Sequence, residues 1–293
     1  MRAPDFWSRD GARGSPWPTV LSPLSLIYSW AVRRRLAREA QAADPGCPVI
    51  CVGNLVAGGT GKTPICLSLG RMLADRGLRP HFLSRGYGGS LAGPVRVDPQ
   101  VHGYDEVGDE PLLLAAVAPT WVARDRAAGA AAAVAAGAGV IIMDDGFQNP
   151  ALRKALSLVV VDGGYGFGNG RVMPAGPLRE TVADGMARAN GVVLIGDGPG
   201  AADLANVAPP VLHGRLMPDD TQDIAGRRLV AFAGIGRPDK FFDSLRAAGA
   251  ELVSCRAFAD HHAFSEKDLS ALALEADARG ATLVTTSKDA MRI

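Results

Sequence analysis

An apolar run that empties into a glycine-rich octet constrains this chain more than any other feature. Residues 48–54 read PVICVGN, residues 57–64 read AGGTGKTP, and residues 63–76 carry Leu67, Leu69 and Leu73 at helical spacing, with Leu78 just beyond. The order is strand, tight loop, helix. A strict phosphate-binding P-loop has glycine six positions before its lysine, and here that position is Val56. The physical requirements behind the motif are still met. Gly58, Gly59 and Gly61 let the backbone turn N–H groups inward around phosphate oxygens, and the helix beginning near Lys62 aims the positive end of its dipole at them. Lys62 is placed to reach the β- and γ-phosphates, and the Thr63 hydroxyl to ligate Mg²⁺. Asn54 and Thr60 complete the expected nucleotide-binding set. The plain alternative is an ordinary glycine-rich turn.

Further strand candidates at 81–83, 121–123, 140–143, 158–161 and 192–195, with helical segments between several of them, predict an α/β fold: a parallel sheet flanked by helices on both faces. The alanine- and glycine-rich stretch 129–139 reads as a small-residue helix rather than a linker. At 293 residues, 47% apolar and 21% charged, the chain can bury a substantial core. A formal net charge of +1 gives no global field that would favour nucleic acid as a partner. Cys47, Cys51, Cys66 and Cys255 have neither metal-pair spacing nor a disulfide framework, which fits a reducing compartment.

Prolines and polar residues over 207–220 mark a boundary. The expected organisation is an N-terminal region over 1–45, a P-loop domain over 46–206 and a smaller C-terminal α/β domain over 207–293. The last should hold a strand at 229–233, helices around 240–248 and 265–278, and a strand at 282–285.

Carboxylates recur beside the predicted phosphate loop. VIIMDDGFQ (140–148) runs an apolar strand into Asp144 and Asp145, and open α/β sheets bind ligands at the carboxyl ends of their strands. One or both therefore face the Mg²⁺ held by Thr63, as a Walker B acid does, although an Asp-Asp-Gly turn is also common surface chemistry. SRGYGG (84–89) and DEVGDEP (105–111) lie between the two motifs. Asp105, Glu106, Asp109 and Glu110 are too crowded to be buried without partners. Asp109 or Glu110 is a candidate to accept the proton of an attacking hydroxyl, and Glu110 also joins the candidate metal ligands.

The first forty residues read differently. Asp5 and Asp10 precede the apolar stretch, and neither a basic leader nor a cleavage site is present, so a secretory signal is not expected. Residues 17–32 are apolar and aromatic but interrupted by Pro18 and Pro23, and are too short to cross a bilayer. Leu24, Leu26, Ile27, Tyr28 and Trp30 followed by Arg33, Arg34, Arg35 and Arg38 suit the interface of an anionic membrane. The other reading is a helix packed on the domain with solvated arginines.

Taken in order, GNLVAGGTGKTP, SRGYGG, DEVGDEP, DDGFQ, NGRVMPAGPLRE (169–180), FAGIGRP (232–238), ADHHAFS (259–265) and TTSKDAMR (285–292) resemble the tetraacyldisaccharide 4′-kinases of the lipid A pathway. That family also lacks the first P-loop glycine. The resemblance implies transfer of the ATP γ-phosphate, with Mg²⁺, to the 4′-hydroxyl of a lipid disaccharide 1-phosphate. It implies a peripheral protein at the cytoplasmic face of a bacterial inner membrane, with no obligate protein partner, and so favours the interfacial reading of the N-terminal helix. It further implies an acid–histidine pair as the base: Asp109 with His261, or Asp105 and His262 in the alternative registers. Lys62 joins them in the catalytic set, and Arg126 and Arg179 become candidate phosphate contacts. Asn149 stands where the family usually has histidine, and the chain ends soon after KDAMR, where relatives commonly continue. The competing function is a P-loop switch or metallochaperone NTPase, which needs neither a membrane-facing helix nor a separate acid–histidine pair.

Overall fold

The computed structural model describes residues 3–37, 41–217 and 224–293, and Arg38 lies outside them. Two compact units divide the described chain, residues 3–215 and residues 216–293.

The first unit opens with a 3₁₀ turn (Asp5–Trp7) and helices α1 (Arg9–Ala12), α2 (Trp17–Val20) and α3 (Ser22–Leu36). Then follow β1 (Val49–Gly53), α4 (Lys62–Asp75), β2 (Pro80–Ser84), β3 (Val95–Arg96), α5 (Tyr104–Val107), α6 (Asp109–Ala115), β4 (Thr120–Val122) and α7 (Arg126–Ala135). β5 (Val140–Asp144), β6 (Leu156–Asp162), α8 (Val182–Met186), β7 (Gly191–Ile195) and β8 (Val211–Gly214) complete it. The strands form one eight-stranded sheet in the order β3-β4-β2-β5-β1-β6-β7-β8, parallel throughout except for the β3–β4 pair.

Central strands covered on both faces must be apolar at every position, which is why they read as continuous runs. Along β5, Ile141 and Met143 enter one core and Ile142 the other; along β6, Val159 and Val161 enter the first and Val160 the second. Helix α4 covers the second face through Cys66, and α7 covers the first through Ala130 and Ala133. Asp125 starts α7 by accepting from the N–H groups of Ala127 (2.9 Å) and Ala128 (3.1 Å), an N-cap that satisfies two otherwise unpaired donors.

The stretch expected to separate the domains contributes to the first unit instead. Val211–Gly214 pairs in parallel with β7, so the prolines before it lead into an edge strand, and the division falls after Arg215.

Helix α3 differs from an ordinary surface helix in carrying apolar side chains on its outward side as well as its inward one. Its inward side carries Ser25, Val32 and Leu36. The Ser25 hydroxyl donates to Val172 O (2.7 Å) and accepts from Ala175 N–H (3.1 Å), and Arg33 pairs with Asp184 at 2.8 Å. Outward, Leu24, Leu26, Ile27 and Trp30, with Trp17 and Val20 of the preceding α2, are each more than half exposed. Among the described residues no helix is long and apolar enough to cross a membrane.

In the second unit β9 (Arg228–Ala233), α9 (Pro238–Ala247), β10 (Glu251–Ala257), α10 (Glu266–Ala278), β11 (Thr282–Thr285) and α11 (Ser287–Ala290) build a parallel sheet ordered β10-β9-β11.

Candidate active site

Neighbouring strands β4, β2, β5 and β1 end along one edge of the first unit's sheet, and the segments leaving those ends carry most of the expected site residues. After β1 the loop turns through Gly58 (φ 111°) and Gly61 (φ 86°), conformations that a side chain would strain. Gly61 directly precedes α4, so Lys62 and Thr63 open that helix.

Asn54 is fully buried within the loop, and its amide donates to Thr60 Oγ1 (3.0 Å) and Gly58 O (3.3 Å). The side chains of Asn54 and Thr60 thus brace the loop's shape. Val56, in place of the usual first glycine, forms an antiparallel bridge with Leu178. Flanking it, Ala57 N–H donates to Pro177 O (2.8 Å) and Arg179 N–H to Leu55 O (2.7 Å). That extended ladder needs no positive φ at residue 56, so valine fits there. The same ladder delivers Arg179.

Asp144 is the last residue of β5, in register with Val52 of β1, and is 2% exposed. Neither carboxylate oxygen has an N–H or O–H partner. The buried Cys66 thiol beside it is only a weak donor. Burial pushes the Asp144 carboxyl up to about 7, Glu110 adds to the push, and Lys62 opposes it. Asp145 is driven the other way. Burial would raise it, but Lys62 and then Arg179 outweigh that and hold it below the usual carboxylate range. Arg179 grips Asp145 with two hydrogen bonds, 2.7 and 3.2 Å, and Lys62 Nζ lies 3.7 Å from the same carboxylate. Asp145 holds this position with φ 51°, uncommon outside glycine. Arg126, at the head of α7, is 3% exposed and donates to Ala123 O (2.8 Å). Burial lowers its pKa to about 10 against the opposing pull of Asp144 and Asp145.

This donor set fits Mg²⁺. An uncompensated buried carboxylate is costly unless a cation or proton arrives, and Asp144 beside the α4 head offers the hard oxygen such an ion takes. Among the described residues no group of three His, Cys, Asp or Glu forms a protein-only cage. Mg²⁺ that keeps waters and phosphate oxygens requires none.

The SRGYGG and DEVGDEP motifs interlock. Ser90 N–H and Leu91 N–H donate to Asp105 O and Glu106 O (2.9 Å each), and a Cβ on Gly108 would lie 2.6 Å from Tyr87 O. Gly108, at φ 89°, then starts α6 and buries Asp109, whose Oδ1 accepts from Glu110 N–H at 2.8 Å. Asp105, the alternative register, is exposed on α5.

In the second unit the two histidines are unlike. The His262 ring lies between Phe258 (4.8 Å between centroids) and Phe264 (5.0 Å), and its Nε2 is 3.3 Å from Asp268. His262 is half-buried, whereas His261 is exposed and has φ 58°.

Gln148, Glu180 and Arg188 were not singled out from sequence. Gln148 donates to Asn54 O (2.9 Å) and to buried Glu180 (3.0 Å), which Arg188 pairs while stacking on Phe147. The signal available was Glu180 itself, the one acid of the block NGRVMPAGPLRE and directly beside Arg179. Asn149 closes a turn, its side chain accepting from Ala151 N–H (2.9 Å).

The sequence model of the family described as tetraacyldisaccharide-1-P 4′-kinase matches residues 17–293. A tetraacyldisaccharide 4′-kinase of Paramagnetospirillum magneticum is 55% identical over 296 residues, covering 100% of this chain and 90% of its own length. One from Rhodospirillum centenum is 57% identical over 297 residues, covering 100% and 88%. A crystal structure described as the "apo" form of LpxK from Aquifex aeolicus in complex with ATP matches with a TM-score of 0.74 at 26% identity, covering 94% of this chain and 90% of that one. Motifs, fold and relatives agree along nearly the whole sequence, and the chain belongs to the tetraacyldisaccharide 4′-kinase family.

Proposed function

We infer that this protein transfers the γ-phosphoryl group of ATP to the 4′-hydroxyl of a tetraacyldisaccharide 1-phosphate. The observation that carries the reading is Asp144: a buried carboxylate without N–H or O–H partners, at the end of the strand beside the P-loop strand and within the field of Lys62. Such a group is stabilised by a bound cation and otherwise costs the fold.

The roles follow from placement. Backbone N–H groups of the 58–61 loop and the head of α4 hold phosphate oxygens. Lys62 and Arg179, now held by Asp145, supply positive charge for the transferred group. Thr63 and Asp144 would hold Mg²⁺, with Glu110 near enough to Asp144 to act on the same site. When bound, Mg²⁺ neutralises charge that develops on the phosphates. The acceptor oxygen forms a bond to the γ-phosphorus as the bond to the β,γ-bridging oxygen breaks, and the hydroxyl proton passes to a base.

Asp109 is the better candidate for that base than exposed Asp105. His261 is the better candidate for its partner, because His262 is committed to its aromatic neighbours and Asp268. The pairing of Asp109 with His261 rests on the family pattern.

For a lipid acceptor, the outward apolar side of α2 and α3 with Arg34 and Arg35 beside it supports docking in the interface of an anionic membrane, at the cytoplasmic face of the inner membrane. The deciding assay incubates the protein with γ-labelled ATP, Mg²⁺ and the lipid disaccharide 1-phosphate. Label on the lipid is expected. ATP hydrolysis indifferent to the lipid, with no labelled lipid, would establish the switch NTPase instead.

A further inference from the structure

We propose that Asp289 and Arg292 are positioning residues that hold His261 in its working conformation; the inference rests on the role given to His261 above. The blocks FAGIGRP, ADHHAFS and TTSKDAMR are far apart in sequence but meet around one backbone unit, Gly234. Its N–H donates to Asp289 Oδ2 (3.1 Å). Its carbonyl accepts both from Arg292 Nη1 (3.2 Å) and from the backbone N–H of His261 (3.0 Å). The same Arg292 nitrogen donates to His262 O (3.1 Å), and His262 N–H closes a turn onto Ala259 O (3.0 Å). Asp289 and Arg292 pair at 3.2 Å with their side chains 0% and 1% exposed. Thr286 fixes the acid by donating to Asp289 Oδ2 (2.6 Å) and accepting from Asp289 N–H (3.1 Å).

Three features make this more than ordinary packing. A buried ion pair generally adds little net stability over apolar residues of the same volume, so its retention points to geometry it specifies. What it grips is the backbone on both sides of one residue, through Gly234 O before His261 and His262 O after it. That residue occupies the turn position at which a type II turn requires a positive φ, and its φ of 58° is strained for any side chain but glycine. Strain of this kind persists only where the surroundings enforce it.

The test measures kcat and KM for Asp289→Asn and Gly234→Ala, each in the parent and in the His261→Ala background, with folded fraction followed by circular dichroism. Asp289→Asn keeps an acceptor for Gly234 N–H but removes the charge facing Arg292. Gly234→Ala keeps both charges of the pair but places a Cβ 3.1 Å from Ala259 O and 3.2 Å from both Asp289 Oδ1 and His262 Cβ, so the turn and the acid that braces it must shift. Each is expected to lower kcat of the folded protein roughly 10- to 100-fold, with KM for ATP unchanged within about twofold. In the His261→Ala background each should cost less than about a further twofold, because the residue they position is already gone. Equal losses in both backgrounds, or full kcat in both single variants, would overturn the positioning role. Should Asp289→Asn not fold, Gly234→Ala decides alone by the same two readings. Full activity in His261→Ala by itself would remove the role of His261, and the proposal with it, an outcome distinct from equal losses in both backgrounds.

Discussion

Asp144→Asn should make the ligand-free protein more stable and catalytically dead. In the native state the carboxyl sits at about 7 against an ordinary 3.8, because it is buried and faces Glu110 and Asp145. A native pKa above the unfolded one means that the native state binds more protons between the two values, so stability from this group falls as pH rises. The penalty is absent below about pH 4, grows through the window from 4 to 7, and is fully present above 7. The difference of about three pH units corresponds to on the order of 4 kcal/mol. Asparagine has nearly the same shape and no charge to desolvate. At pH 8, without nucleotide or Mg²⁺, the variant should unfold at a temperature several degrees higher than the parent, and the gap should narrow toward pH 4. Added Mg²⁺ should raise the parent's transition more than the variant's, because binding to the native state stabilises by mass action only where the ligand binds. Calorimetry across pH 4–8, with and without Mg²⁺, reads all three effects. A variant less stable than the parent at pH 8, or one with the parent's pH dependence unchanged, would refute the claim that Asp144 is an uncompensated buried carboxylate.

Lys62→Ala and Thr63→Ala should abolish labelling of the lipid while leaving the circular dichroism spectrum intact, since both side chains act at the head of α4 rather than in either core; near-normal turnover in either variant would sink the P-loop assignment. Asp109→Ala and His261→Ala should each lower kcat by about 10²- to 10⁴-fold with little change in ATP affinity, and the double variant should lose little beyond the worse single one. Multiplicative losses would mean independent roles. Reversing Arg34 and Arg35 to glutamate should weaken binding to anionic vesicles by about tenfold or more, at roughly 1 kcal/mol per arginine, and high salt should mimic the change. Arg33 is left out of that test because it pairs with Asp184. Binding unaffected by either treatment would count against interfacial docking.

The central strands were legible because burial on both faces makes each an unbroken apolar run, and β1, β2, β5, β6 and β7 lie within two residues of their expected bounds. β3, β8 and β10 were not legible. The first is a two-residue edge, and the other two are half-exposed, so neither the alternating nor the continuous pattern develops. Val56 shows a different limit. Its fitness for a P-loop depends on a bridge to Leu178, and no local window contains that partner.

The adjacent acids Asp144 and Asp145 show where reading by residue type must stop. One motif offers both to the metal without choosing between them, since it presents two identical carboxylates at the end of one strand. The fold makes them chemically opposite. Asp144, still within β5, is buried and is pushed toward neutrality. Asp145 turns out of the strand at φ 51° into the reach of Lys62 and Arg179, which hold it ionised. Asp145 therefore has its cations before any ligand arrives, whereas Asp144 has an unmet need for one. A divalent cation gains most at the carboxylate that lacks a hydrogen-bonded cation, which makes Asp144 the better proposed ligand for the metal and gives Asp145 the proposed role of holding Lys62 and Arg179 in place for the phosphates.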